Sequence, residues 1–268
     1  MKVFTEPAKL QKWCRARKLA GKRIALVPTM AYLHEGHMSL IEKAKAKGAD
    51  EIVVSVFVNP VQFGPNEDYA KYPRDEKADL AKCRKAGATA IFFPTPENMY
   101  LPRHSVYINE EDLSKGLCGA RRPGHFRGVC TVVAKLFNLA HPDFAVFGQK
   151  DYQQAQVIRR MVRDLNFDLE IVVAPIVREA SGLAKSSRNT YLNEKEREMA
   201  LAISRGLREM KGLKGLKTSL EKAGLVVDYV ECVDAETLEP RKKVAKGCCV
   251  LVAAYCGKTR LIDNMLVK

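Results

Sequence analysis

Arg23-Ile24-Ala25-Leu26-Val27, followed closely by His34-Glu35-Gly36-His37 and then by Met38-Ser39-Leu40-Ile41-Glu42-Lys43-Ala44-Lys45-Ala46-Lys47, decides the fold class. The first five residues have the aliphatic, β-branched character of a buried strand, and the stretch from Met38 to Lys47 repeats its apolar residues at helical spacing. A strand that feeds a short loop and then a helix brings unpaired backbone N–H groups and the positive end of a helix dipole to one point, which suits phosphate. Two imidazoles there add donors for phosphate oxygens whose charge grows during reaction. Placed three apart on the first helical turn, His34 and His37 are expected to share one face and act together. A plainer reading stays open, in which both rings only cap the helix and hydrogen-bond backbone. Zinc is disfavoured: the metalloprotease pattern places its histidines four apart with Glu directly after the first, and here the second histidine comes one residue early.

The alternation continues beyond this unit. Glu51 to Val58 is a continuous apolar run of the kind buried on both faces, and further strands are expected at Ala90 to Phe93, Phe144 to Phe147 and Glu170 to Val173. Helices are expected at Asp75 to Ala86, Phe126 to Leu139 and Tyr152 to about Leu165. This is the pattern of an α/β fold, a doubly wound parallel sheet of Rossmann-like type. Past Val177 the order changes to a helix capped by Asn193 and strand-like runs at Val226 to Val233, Cys248 to Tyr255 and Arg260 to Asp263. The expected division is therefore a nucleotide-binding domain over residues 1–176 and a small α+β domain over 177–268.

The 268 residues carry 45 Lys and Arg against 31 Asp and Glu, a formal charge of +14. Such a balance suits nucleic acid, an anionic surface or phosphate-bearing small molecules, and a lysine-rich solvated surface gives the same number. The eight cysteines form no Cys-x-x-Cys pair or regular spacing, so neither a zinc ribbon nor a disulfide framework is expected. Met1-Lys2-Val3-Phe4 leads into charged residues without the apolar core of a signal peptide, and no later run approaches membrane-spanning length. A cytoplasmic protein without a membrane partner is expected.

Ligands of open parallel sheets collect outside the carboxyl ends of the strands. Besides the histidine loop, three polar segments stand there: Asn59 to Gly64, Gly148-Gln149-Lys150-Asp151-Tyr152-Gln153-Gln154, and Lys185-Ser186-Ser187-Arg188-Asn189. Gly148 lets backbone approach a ligand, Lys150 is a mobile charge for phosphate, and Asp151 can accept from ribose hydroxyls. Gln62 and Gln154 can both donate and accept, which suits hydroxyl and carboxylate groups. Two hydroxyls and a guanidinium in the last segment make an anion clamp.

These residues resemble the pantothenate synthetase, or pantoate–β-alanine ligase, family along nearly the whole chain. The resemblance rests on Pro28-Thr29-Met30 leading into Leu33-His34-Glu35-Gly36-His37, Phe57-Val58-Asn59-Pro60-Val61-Gln62-Phe63, Glu67-Asp68 with Tyr72-Pro73-Arg74, and Arg122-Pro123-Gly124-His125-Phe126. It continues through Lys135-Leu136-Phe137-Asn138, Phe147 to Gln154 and Ser186-Ser187-Arg188-Asn189. The histidine tetrad and the Lys185 to Asn189 segment also look like the paired signatures of HxGH-type nucleotidylyltransferases and class I aminoacyl-tRNA synthetases.

The resemblance implies that pantoate and ATP form pantoyl adenylate and pyrophosphate, and that β-alanine then displaces AMP to give pantothenate. It places His34 and His37 on the phosphates, with His37 as proton donor or charge stabiliser, and Lys150, Ser186, Ser187 and Arg188 on the triphosphate, while for Lys185 both a further ATP contact and a solvent-facing lysine stay open. Lys150 and Arg188 join the histidines as the catalytic set. Gly148, Gln149, Asp151 and backbone at Val177 would hold the nucleoside, and Met30, Gln62 and Gln154 pantoate, Met30 also bordering ATP. Magnesium would bridge the phosphates without an assigned protein ligand, the small domain would close over ATP, and the chain would form a homodimer. Ala31 and Tyr32 stand where a Gly and a small residue are common in the family, Ser181 replaces a frequent Asp, and Lys185 stands where an apolar residue is usual. Two other classes fit parts of the pattern. A nucleotidylyltransferase would use the same signatures but release no AMP. An RNA-binding module would fit the charge but lacks an RNP-type aromatic motif.

Overall fold

The computed structural model describes residues 1–65 and 67–268. Contacts group the chain into two compact units, one of Met1–Gly148 with Val157–Ala174 and one of Gln149–Gln156 with Pro175–Lys268.

The first unit contains strands β1 (Lys2–Phe4), β2 (Ile24–Thr29), β3 (Glu51–Val56), β4 (Ala90–Phe92), β5 (Phe144–Gly148) and β6 (Glu170–Ala174). They form one parallel sheet in the order β1-β4-β3-β2-β5-β6. Helices α1 (Pro7–Leu19), α2 (Glu35–Ala46), α3 (Glu76–Ala86), α4 (Pro96–Met99), α5 (Leu117–Arg121), α6 (His125–Ala140) and α7 (Tyr152–Asp164) connect them. The doubly wound expectation holds for a physical reason. Ile24 to Val27, Ile52 to Val56 and Phe144 to Phe147 are all buried, so the central strands need a helical layer on each face. Strand order reverses between β2 and β5, so the crevice beyond Thr29 and Gly148 is the switch point of the sheet, where ligands of such folds bind.

Several boundaries moved. Helix α2 begins at Glu35 rather than Met38, and β3 ends at Val56 rather than Val58, giving way to a 3-10 turn at Pro60–Gln62. The edge strand β1 and the short helices α4 and α5 went unread because they bury almost no apolar side chain, Met99 alone among them, and so leave no apolar run.

The second unit adds α8 (Glu194–Arg208), α9 (Leu213–Lys222) and an antiparallel sheet of β7 (Val226–Asp234), β8 (Cys248–Cys256) and β9 (Thr259–Leu266) in that order. Asn193 caps α8 as its sequence predicts, accepting from Glu196 N at 2.9 Å while the Glu196 carboxylate accepts from Asn193 N at 3.0 Å. The core of this unit gathers Ile203 and Leu207 of α8 and Leu216 and Leu220 of α9 with Val250, Val252 and Ala254 of β8.

All eight cysteines are thiols rather than disulfides. Burial pushes the Cys14, Cys83, Cys130 and Cys249 thiols up to about 12, so these four carry no thiolate near neutral pH and cannot serve as nucleophiles. Among the described residues, no helix is long and apolar enough to cross a membrane.

One close approach fixes the loop after β3. A methyl group at Gly128 of α6 would lie 2.6 Å from both Gln62 Cα and Val61 O, well inside contact distance of backbone that cannot swing away. Gly128→Ala should therefore cost about 1–3 kcal/mol by overpacking, read from the denaturant midpoint, and unchanged stability would contradict this packing.

Candidate active site

The β2–α2 loop starts under strain. Ala31 and Tyr32 take φ values of 91° and 52°, a left-handed conformation that favours glycine, and Ala31 is where the family resemblance expects Gly. The loop is clamped from α3. The Asp79 carboxylate accepts from Tyr32 N at 2.9 Å and from Leu33 N at 2.7 Å, while Lys82 Nζ, one turn later, donates to Leu33 O at 2.6 Å. Asp79 is fully buried, and burial lifts its carboxyl above the ordinary carboxylate range despite those two backbone bonds. The charged clamp thus carries a desolvation cost, which rises as the group ionises with increasing pH.

His34 is not on the first turn of α2, as its spacing had suggested, but is the residue that caps it, with φ −135° and ψ 178°. Its Nδ1 accepts from Gly36 N at 3.1 Å, and His37 Nδ1, from inside the first turn, accepts from His34 N at 3.2 Å. The two rings lie 4.1 Å apart between centroids. Both rings therefore cap the start of the helix, and they do so through Nδ1. A ring nitrogen that accepts an N–H bond keeps its lone pair, so in the neutral ring the proton sits on Nε2. Capping thereby makes each Nε2 a donor.

The buried Gln62 is held on every side within the first unit. Its Oε1 accepts from Asn59 Nδ2 at 3.0 Å, its Nε2 lies 2.9 Å from Met30 Sδ, and its backbone O is 2.9 Å from His125 Nδ1. Asn59 is fixed in turn by Gly128 O, which accepts from its Nδ2 at 3.2 Å, and by the Tyr100 hydroxyl, which donates to its Oδ1 at 2.8 Å. A carbonyl only accepts and a guanidinium only donates, so neutral His125 carries its proton on Nδ1 and accepts at Nε2 from Arg122 Nη1 at 3.0 Å. Arg122 is itself gripped in two-pronged fashion by Glu67, Nε to Oε1 at 2.8 Å and Nη2 to Oε2 at 2.5 Å. Met30 and Gln62, two of the three residues expected around pantoate, are thus in direct contact.

Gly148 closes β5, and a Cβ added there would meet nothing within 4 Å, so the glycine leaves open space rather than relieving a protein contact. In the second unit, Gln149 to Asp151 form a 3-10 turn in which Lys150 Nζ stands 3.5 Å from Asp151 Oδ2. Gln154 is half-buried on the first turn of α7. Val177 O accepts from Lys185 N at 2.9 Å, so this carbonyl is engaged in shaping the loop. Ser186 caps the 3-10 helix Ser187–Tyr191, its Oγ accepting from Arg188 N at 3.3 Å. A hydroxyl that accepts through a lone pair retains its hydrogen to donate. Asn189 anchors this segment by donating to Glu179 Oε1 at 2.8 Å and to Ala184 O at 3.1 Å. Lys185, Ser186, Ser187 and Arg188 therefore occupy consecutive positions of one braced turn.

Asp79, Arg178, Asp263 and Asn264 are the supports that sequence reading passed over. Asp79 carried a signal, an acid one helical turn from Cys83 on the buried face of α3. Asp263-Asn264 carried another, since two adjacent polar residues interrupt the apolar run from Leu261 to Leu266. No group of three or more His, Cys, Asp or Glu able to hold a metal ion occurs among the described residues.

Comparison with known proteins bears on this arrangement. The family model described as pantoate-beta-alanine ligase matches residues 2–266. The chain is 52% identical to pantothenate synthetase of Clostridium novyi (strain NT), over 97% of this chain and 96% of that protein. It is also similar to the crystal structure of pantothenate synthetase from Thermus thermophilus, with a TM-score of 0.90, 42% identity and 99% of each chain covered. Pantoate-beta-alanine ligase from Francisella tularensis, complexed with beta-gamma ATP and beta-alanine, matches with a TM-score of 0.87 and 34% identity, covering 99% of this chain and 97% of that one.

The strain at Ala31 has a measurable sign. Relief of a left-handed alanine returns about 1–3 kcal/mol, against about 0.8 kcal/mol for the lost buried methyl and about 0.5–1 kcal/mol of glycine's chain entropy. Ala31→Gly should consequently lie between about 1 kcal/mol below and about 2 kcal/mol above wild type in denaturant unfolding, whereas a loss of about 2 kcal/mol or more would show that the alanine is unstrained.

Proposed function

Since the chain belongs to the pantoate–β-alanine ligase family, whose members make pantothenate, we propose that His34 and His37 take the charge that develops on phosphate as ATP is attacked. The observation that supports this most directly is the commitment of both Nδ1 atoms to backbone amides, which leaves Nε2–H on each ring as a fixed donor.

In the first step a carboxylate oxygen of pantoate attacks the α-phosphorus of ATP. The P–O bond to the leaving group breaks, giving pantoyl adenylate and pyrophosphate. In the second, the amine of β-alanine attacks the acyl carbon, the C–O bond to AMP breaks, and the nitrogen sheds a proton as the amide forms. Neither step needs a protein nucleophile. Each needs alignment and charge neutralisation, which preorganised donors supply.

Lys150, Lys185, Ser186, Ser187 and Arg188 serve the triphosphate in this reading, with Lys150 and Arg188 joining the histidines as catalytic groups. Gly148, Gln149, Asp151 and backbone at Val177 serve the nucleoside. Met30, Gln62 and Gln154 serve pantoate, the contact between Gln62 and Met30 supporting the assignment of those two. Magnesium would be brought in with ATP and would supply charge neutralisation for the phosphates, with no protein ligand assigned to it. A homodimer is part of the same reading.

Omitting one component at a time from ATP, magnesium, pantoate and β-alanine tests the order of steps. AMP release should need both organic substrates, whereas exchange of pyrophosphate into ATP should need pantoate alone. Pyrophosphate exchange that depends on β-alanine would contradict an adenylate. Separately, His37→Ala or Lys150→Ala should cost ~3 kcal/mol or more of transition-state stabilisation, measured as kcat/KM for ATP. Near-normal turnover in both variants would overturn the roles given to them.

A further inference from the structure

Lys150 sits in a turn whose backbone is gripped by one side chain. Asn264 Nδ2 donates to Gln149 O at 2.9 Å and to Lys150 O at 3.0 Å, and Asn264 Oδ1 accepts from Gln149 Nε2 at 3.0 Å. The amide is buried, both of its hydrogens are used, and all three bonds go to the same dipeptide. We infer that Asn264 is the positioning residue of Lys150: it fixes the turn from which the ammonium reaches phosphate, without touching substrate itself. This rests on the assignment of Lys150 to the triphosphate.

The support behind Asn264 is rigid. Successive strand residues point to opposite faces, so Asp263 turns away from the Gln149–Lys150 turn. It is buried and ion-paired through two bonds to Arg178, at 2.6 and 3.0 Å. Arg178 also donates to Gly182 O at 3.2 Å, within the loop that leads into Lys185 to Arg188. Asp263 Oδ1 further accepts from Asn264 N at 2.8 Å. One dipeptide of β9 therefore holds the Lys150 turn with one residue and braces the approach to the serine–arginine segment with the other. A buried asparagine with three bonds to one turn is poorly explained by stability alone, because an apolar side chain and a self-contained turn would avoid burying an amide.

A double-mutant cycle separates positioning from general support. Asn264→Ala should lower kcat/KM for ATP about tenfold or more in wild type and less than about twofold in a Lys150→Ala background, since there the group it positions is already gone. Asn264→Asp, run alongside, keeps the size and the acceptor for Gln149 but loses both donors, and should show the same dependence on background. Equal fold-losses in both backgrounds, or an Asn264→Asp enzyme as active as wild type, would overturn the positioning role. Lys150→Ala with near-normal kcat/KM would instead remove the triphosphate assignment and this inference with it.

Discussion

Two lone pairs on imidazole Nδ1 atoms hold the head of α2 together, and the role proposed for the histidine loop depends on that commitment. The first amides of a helix have no partner within it, and here two of the amides around that start are taken by the side chains of His34 and His37. Any side chain with a suitable oxygen could cap. Imidazole differs because the atom that caps determines where the opposite nitrogen keeps its proton. Local folding and donor geometry are thereby one constraint, satisfied by the same atoms.

That constraint holds only if the chain before it is fixed. The strained pair Ala31 and Tyr32 would unwind without the buried Asp79, whose bonds to Tyr32 N and Leu33 N make up part of what the left-handed backbone costs. A similar logic recurs at Gln62, where the relay Glu67, Arg122 and His125 ends on a backbone oxygen, and at Lys150, where Asn264 grips the main chain. In each case a buried polar group acts on backbone and so fixes the position of the side chain that the segment carries. Such groups cost desolvation when unpaired, which ties loop conformation to complete pairing.

Fold class was legible because β2, β3 and β5 are continuous apolar runs, and a strand buried on both faces leaves a simple trace. The polar segments after these strands were legible too, and the histidine loop, the Pro60–Gln62 turn and the Gln149–Asp151 turn do follow β2, β3 and β5. Less visible was the place of His34: spacing of three fits two residues on one helical face, but equally fits a cap and the third helical residue, and only the backbone angles separate them. Asp79 was harder still. Its partners are main-chain amides 46 and 47 residues earlier, and no local side-chain pattern encodes a bond to backbone that far along the chain. Asn264 is more distant again, 114 residues from the Lys150 carbonyl it holds.

The central claim, that capping fixes the proton on Nε2 of both rings, is open to direct measurement. With five histidines in the chain, ring-nitrogen NMR on protein labelled with 15N-histidine can be assigned by single substitutions of the other three. The account predicts that near neutral pH both His34 and His37 show an unprotonated Nδ1 and a protonated Nε2, and that adding ATP with magnesium shifts the Nε2 resonances more than the Nδ1. A protonated Nδ1 in the neutral form of either ring would contradict it.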